Sequence, residues 1–64
     1  MDDFRERVVE EKRELDGKLQ RLEAFIAGKA FDAINPGEQN RLVRQRDAMC
    51  DYSGILGDRI ANFS

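Results

Sequence analysis

The chain has 64 residues, with 11 Lys and Arg against 13 Asp and Glu, no His, no Trp and a single Cys. That length allows one small domain, and below about 70–80 residues a single core seldom supplies more than roughly 3–5 kcal/mol without a staple. One cysteine closes no intrachain disulfide, and the lack of His removes Cys/His zinc sites and His-based nucleophilic catalysis, so oligomerisation is the staple that remains.

Charged residues make up 38% of the chain and aromatics 8%, a balance close to that of disordered segments. The apolar residues are periodic, however, and periodicity argues for order. No stretch approaches the ~18 apolar residues of a membrane span, and the acidic opening Met1-Asp2-Asp3 has no apolar segment of the signal-peptide kind. The lone Cys50 suits a reducing compartment. A net charge of −2 exerts no bulk attraction for nucleic acid or an anionic membrane.

The first predicted element is a helix over about residues 3–27. Phe4, Val8, Leu15, Leu19, Leu22 and Ile26 recur at helical steps, with Lys12 at the one position where the stripe is polar. Asp2 and Asp3 are both suitable caps. Glu14 and Lys18 stand at the spacing of a favourable helical ion pair, and Gly28 suits the position just past a helix end. Residues 28–35 are a connector, too short for an independent helix, from which Phe31 and Ile34 can point inward. Asn35-Pro36-Gly37-Glu38 then places a capping residue, a proline at the first helical position and a glutamate at the third, a helix-start signature.

The second predicted helix covers about residues 36–62. Leu42, Met49, Leu56 and Phe63 repeat at sevens, with Arg46, Ser53 and Ile60 as companions. Ala48, Tyr52 and Ile55 form a second apolar stripe, and Val43, Cys50 and Gly57 a third row. Gly54 and Gly57 leave a flat patch, and each costs roughly 1 kcal/mol relative to Ala in a helix interior. Two helices joined by a short elbow give an antiparallel hairpin, in which each helix covers one face only. The other apolar rows, with Val9 and Phe25 of the first helix, stay wet in a monomer and forfeit several kcal/mol at about 25 cal/mol per Å². The expected fold is therefore all-α: a single helical-hairpin domain over residues 1–64 that assembles as an interlocked homo-oligomer.

Few residues offer chemistry. Glu10, Glu11 and Glu14 read as a solvated acidic face, since a hairpin has no enclosed cleft to separate their pKa values. Cys50, mid-helix beside Asp51, reads as a small buried hydrophobe. Arg41, Arg44 and Arg46 lie among Glu38, Asp47 and Asp51, as on a salt-bridged surface. Lys12, Lys18 and Arg59 each allow two roles, a snorkelling stem or an ammonium or guanidinium aimed into an anion pocket between chains. Phe4 and Tyr52 are core candidates, and an aromatic beside cations, as Phe4 is, also suits base stacking.

The string from Phe4-Arg5-Glu6-Arg7-Val8-Val9 through Leu15-Asp16-Gly17-Lys18-Leu19 resembles the opening of a family of small phage proteins. So does Gln45 to Ile60, with Met49-Cys50-Asp51-Tyr52-Ser53 and Leu56-Gly57-Asp58-Arg59-Ile60; Phe25, Ile26 and Phe31 also fit. The resemblance is to the helical-hairpin sponges that phages use against CBASS, the cyclic-oligonucleotide-based antiphage signalling system; a similar hairpin occurs in an anti-Thoeris sponge. It implies a hexamer of interlocked hairpins in the host bacterial cytoplasm. That hexamer would bind cyclic dinucleotides and cyclic trinucleotides in separate inter-subunit pockets and cleave neither. It implies no cofactor, metal, nucleic-acid polymer or membrane partner. By the same resemblance Lys18 contacts phosphate, and Phe4 stacks on a base where tyrosine is usual. Arg59 belongs to the trinucleotide pocket, Gln20 lines that pocket, and Arg7 is a second cation. The rival classes are a small helical interaction module and a nucleic-acid-binding regulator using Arg41, Arg44 and Arg46.

Overall fold

The structure is a computed structural model and describes residues 3–63. Three helices follow in order: α1 (Phe4–Ile26), α2 (Lys29–Asp32) and α3 (Pro36–Ala61). Among the described residues there is no strand. The two long helices lie within one residue of their expected bounds. Asp3 caps α1 by accepting from the Arg5 backbone N–H at 3.1 Å. Asn35 caps α3 by accepting from the Glu38 backbone N–H at 2.8 Å, with Pro36 in the first turn, as the start signature predicts.

The connector departs from expectation. Residues 29–32 close a single α-helical turn. Gly28 does not terminate α1 in the left-handed conformation; it is extended, with φ −94°, and serves as the N-cap position of α2. Phe31 points back onto Phe25, ring centroids 6.3 Å apart and edge to face. The Gln39 side-chain amide donates to the Phe31 carbonyl at 2.8 Å. These two contacts fold the elbow against both long helices.

α1 and α3 pack antiparallel into a rod of 46 × 17 × 14 Å. Its Cα radius of gyration, 14.7 Å, exceeds the roughly 11 Å of a compact domain of this length. Among the described residues only Val8, Leu56 and Ser53 are buried. Leu42, Met49, Ile60 and Phe63 of the predicted α3 stripe are half-buried, as are Leu15, Leu19, Leu22 and Ile26 of α1. The faces predicted to lie outside the hairpin are outside it: Val9, Phe25 and Ile55 are exposed.

Lys12 and Ser53, the polar breaks in the two stripes, meet each other. The Lys12 ammonium donates to Ser53 Oγ at 2.7 Å and to Asp16 Oδ2 at 3.0 Å, and the Ser53 hydroxyl donates to Asp16 Oδ1. Lys12 is thus paired within the hairpin, with its side chain 30% exposed. Its stem crosses Gly57, where an added Cβ would stand 3.5 Å from Lys12 Cε. That is ordinary van der Waals contact, so a methyl group fits at Gly57, and at Gly54 an added Cβ meets nothing within 4 Å.

Three core expectations are corrected, the first at Phe4, which is 55% exposed because it opens α1 at the tip of the hairpin with Phe63 on one side of its ring. Cys50 is exposed rather than buried: Val43 and Gly57 of its row are half-buried, but the row lies at the margin of the interface and α1 does not cover the Cys50 side chain. Tyr52 is 42% exposed, because its stripe on α3 flanks the helix interface, from which its hydroxyl reaches Glu11 of α1.

Candidate functional site

Phe4, Arg7, Glu11, Lys18 and Phe25 are separated by steps of three, four, seven and seven, which places them along one flank of α1. Ala48, Tyr52, Ile55 and Arg59 follow steps of four, three and four along α3. Two contacts join these flanks. The Tyr52 hydroxyl donates to Glu11 Oε2, and the Phe4 ring meets Phe63 edge to face at 5.5 Å. One long side of the hairpin therefore carries Phe4, Arg7, Lys18, Tyr52 and Arg59 together.

Among the described residues the cations fall into two groups, and the one without ion pairs, which elsewhere also holds Arg21, Lys29 and Arg44, includes the three of this side. Lys12, Arg13, Arg41 and Arg46 are held in ion pairs with Asp16, Glu10, Glu38 and Asp47. Arg7, Lys18 and Arg59 make no ion pair among the described residues. The Glu14–Lys18 pair that the spacing allows does not form within α1, so the Lys18 ammonium stays available. An unpaired exposed cation keeps its full capacity for charge-assisted hydrogen bonds to a phosphate. Phe4, 55% exposed, adds a partly open aromatic ring at the end of the same side.

The five residues singled out in the sequence fall into three places. Phe4, Arg7 and Arg59 belong to the open end, where Phe4 contacts Phe63. Lys18 stands fourteen residues beyond Phe4, about 21 Å along the helix axis, too far for both to grip one nucleotide from a single chain. Gln20 is exposed and lies about 200° round α1 from Lys18, on the opposite flank. It shares no surface with the other four in one hairpin.

The Sequestin family model matches residues 2–62, nearly the whole chain. The chain belongs to the Sequestin family. No curated protein and no solved structure matches it. Sequestin is a name for holding rather than converting, in keeping with the sponge resemblance of the two helix strings. The matched span takes in α1, the elbow and α3, and so contains every residue of the candidate side.

The Sequestin hairpin also carries a residue that sequence reasoning assigned elsewhere. Tyr52 was a core candidate, yet its ring lies open beside Ile55 with its hydroxyl fixed to Glu11. That bond, and secondarily burial, raises the Tyr52 pKa above its ordinary value, because ionisation would set a phenolate against a carboxylate. The available signal was the stripe Ala48, Tyr52, Ile55, which has no partner in a two-helix hairpin. Among the described residues no group of three or more His, Cys, Asp or Glu is placed to hold a metal, and no helix is long and apolar enough to cross a membrane.

Proposed function

We propose that this Sequestin binds cyclic di- and trinucleotide second messengers without cleaving them, as a homo-oligomer of interlocked hairpins, a hexamer, in the cytoplasm of a phage-infected bacterium. Messenger held in this way cannot activate a CBASS effector. The observation that carries the proposal is the side on which Arg7, Lys18 and Arg59 lack ion pairs among the described residues while Phe4 is exposed. Cations and rings so arranged suit ligands made of phosphates and bases.

The distance along α1 supports sites shared between chains. Lys18 of one copy and Phe4 of another can approach one dinucleotide across a two-fold axis, which matches the ligand's own pseudo-symmetry. Three copies of Arg59 suit a cyclic trinucleotide on a three-fold axis. The apolar surface of Val9 and Phe25, open in one hairpin, is what the copies would cover. Gln20 enters a pocket only if a second chain brings its flank to the first.

Calorimetry with cyclic dinucleotides, cyclic trinucleotides and an ADP-ribose-derived cyclic messenger tests the proposal. Lys18→Ala is expected to weaken dinucleotide binding and Arg59→Ala trinucleotide binding, each by at least about tenfold, largely independently. Recovery of intact ligand after incubation checks the absence of cleavage. Binding of the ADP-ribose derivative alone would keep sequestration and replace the ligand class. Heat from none of them at micromolar concentration, with a salt-sensitive gel shift on DNA or RNA, would replace sequestration by polymer binding through Arg41, Arg44 and Arg46.

A further inference from the structure

We infer that Tyr52 is a nucleobase-stacking residue, its ring held in place by Glu11 and flanked by Ile55, with Arg59 two helical turns along α3 to take the attached phosphate. The inference rests on the proposed nucleotide-binding function and adds to it a residue and a ligand moiety.

Four observations converge on Tyr52. The residue is 42% exposed although its hydroxyl is bonded across the hairpin. A tyrosine serving only to join the helices gains most from a covered ring, since an aromatic side chain's large apolar area is its main contribution to packing. Here the polar end is fixed and the apolar face is offered. The hydroxyl bond also removes ring freedom, so a stacking partner meets a pre-positioned surface and less entropy is lost on binding.

Ile55 follows Tyr52 by three residues and is 56% exposed. It extends the apolar surface on the same face of α3 by one side chain, to a size that suits one heterocycle. Arg59 continues that face four residues on, and makes no ion pair among the described residues. The Tyr52 ionisation also responds to the Arg59 charge, so the two groups share one neighbourhood.

The polarity along the face is directional. Glu11 sets a carboxylate at the hydroxyl edge of Tyr52, and Arg59 sets a guanidinium further along α3. A nucleotide is favoured with its base on Tyr52 and Ile55 and its phosphate toward Arg59, and is disfavoured with its phosphate toward Glu11. A flat hydrocarbon without an anion would leave Arg59 unused, and an inorganic phosphate would leave the ring unused. The occupant this face fits is a nucleotide unit presenting both groups.

Tyr52 is the only tyrosine of a chain without tryptophan, so its emission and ultraviolet titration report on this position alone. Cyclic di-AMP and cyclic tri-AMP are the probes, added to the full-length protein. At least one is expected to quench Tyr52 emission strongly, saturating at the concentration where calorimetric heat saturates. Tyr52→Ala is expected to weaken that ligand by about tenfold, the effect typical of one stacked base, and Tyr52→Phe by less than about threefold. Glu11→Gln, acting through ring position, is expected to lower the Tyr52 ionisation midpoint and to weaken binding less than Tyr52→Ala does.

Ligand heat with unchanged Tyr52 emission overturns the inference and leaves the proposed function standing. So does wild-type affinity in a folded Tyr52→Ala protein. If Tyr52→Ala fails to fold, emission quenching in the wild-type protein still decides. An absence of heat from every messenger overturns the proposed function and this inference together.

Discussion

Lys12, Asp16 and Ser53 illustrate how a buried hydroxyl is satisfied in so thin a fold. Ser53 is 8% exposed, and an unpaired hydroxyl there would cost on the order of 1–3 kcal/mol. Lys12 donates to it and Asp16 accepts from it, so all three are paired across the hairpin. The hydrogen bonds from Ser53, and then from Lys12, hold the Asp16 carboxyl below its ordinary value. Asp3 is lowered by its bond from Arg5, and Glu10 by its bond from Arg13. The unfolded chain therefore takes up these protons at higher pH than the folded chain does. Stability present at neutral pH is lost as the pH falls through and below the ordinary carboxylate range. Thermal melts followed by circular dichroism are expected to show this decline. Asp16→Asn is expected to make the slope shallower, with the part due to Asp3 and Glu10 remaining; an unaltered slope would separate the triad from folding. In the sequence, Lys12 and Ser53 were visible only as two interruptions. Their meeting depends on the stagger of one helix against the other, which no single stripe contains.

At the scale of the elements, the helix bounds were legible because caps are local. Asn35 with Pro36 and Glu38 announces α3, and Asn35→Ala is expected to cost about 1 kcal/mol of stability in denaturant titration. A loss under about 0.3 kcal/mol would mean the α3 start is set by packing alone. The elbow was less legible. One turn of helix has little intrinsic stability, and it persists here through Phe31 on Phe25 and Gln39 on the Phe31 carbonyl, contacts between elements. Gly54 gives a test of what lies beyond the hairpin. Nothing within the chain opposes a methyl group there, so Gly54→Ala should raise single-chain stability by up to about 1 kcal/mol through helix propensity. If copies pack closely on this face, the substitution instead lowers the melting temperature of the assembly. The homo-oligomer proposed above predicts the lowering.

The whole molecule is a rod with little interior. Full burial of a side chain such as Val or Leu contributes roughly 1.5–3 kcal/mol, and among the described residues only Val8 and Leu56 are buried apolar side chains. Ordering the backbone costs roughly 1–2 kcal/mol per residue, so two such side chains cannot hold the chain unaided. Light scattering is expected to show a multiple of the monomer mass at micromolar concentration, with helicity lost on dilution as the copies separate. A stable helical monomer would contradict the proposed assembly. The count of apolar faces made this surplus legible in the sequence. The grouping of Phe4, Arg7, Lys18 and Arg59 on one side was legible only in part. Helical spacing places Phe4, Arg7 and Lys18 on one flank of α1, but the flank of α3 that adjoins it is fixed by the Glu11–Tyr52 contact. Gln20 shows the limit of residue-by-residue transfer, since a shift of two positions turns a side chain to the far side of a helix.

The contact of Phe4 with Phe63 has a practical consequence for handling the protein. It brings the beginning of α1 and the end of α3 to the same tip of the rod, beside Arg7 and Arg59. A purification tag or fluorescent fusion at either end would crowd the proposed ligand face, and a polyhistidine tag would add titratable cations next to it. The elbow, about 30 Å away along α1, is the better place for a label, at the exposed Asp32 or Ala33, where the Phe25–Phe31 contact is left intact.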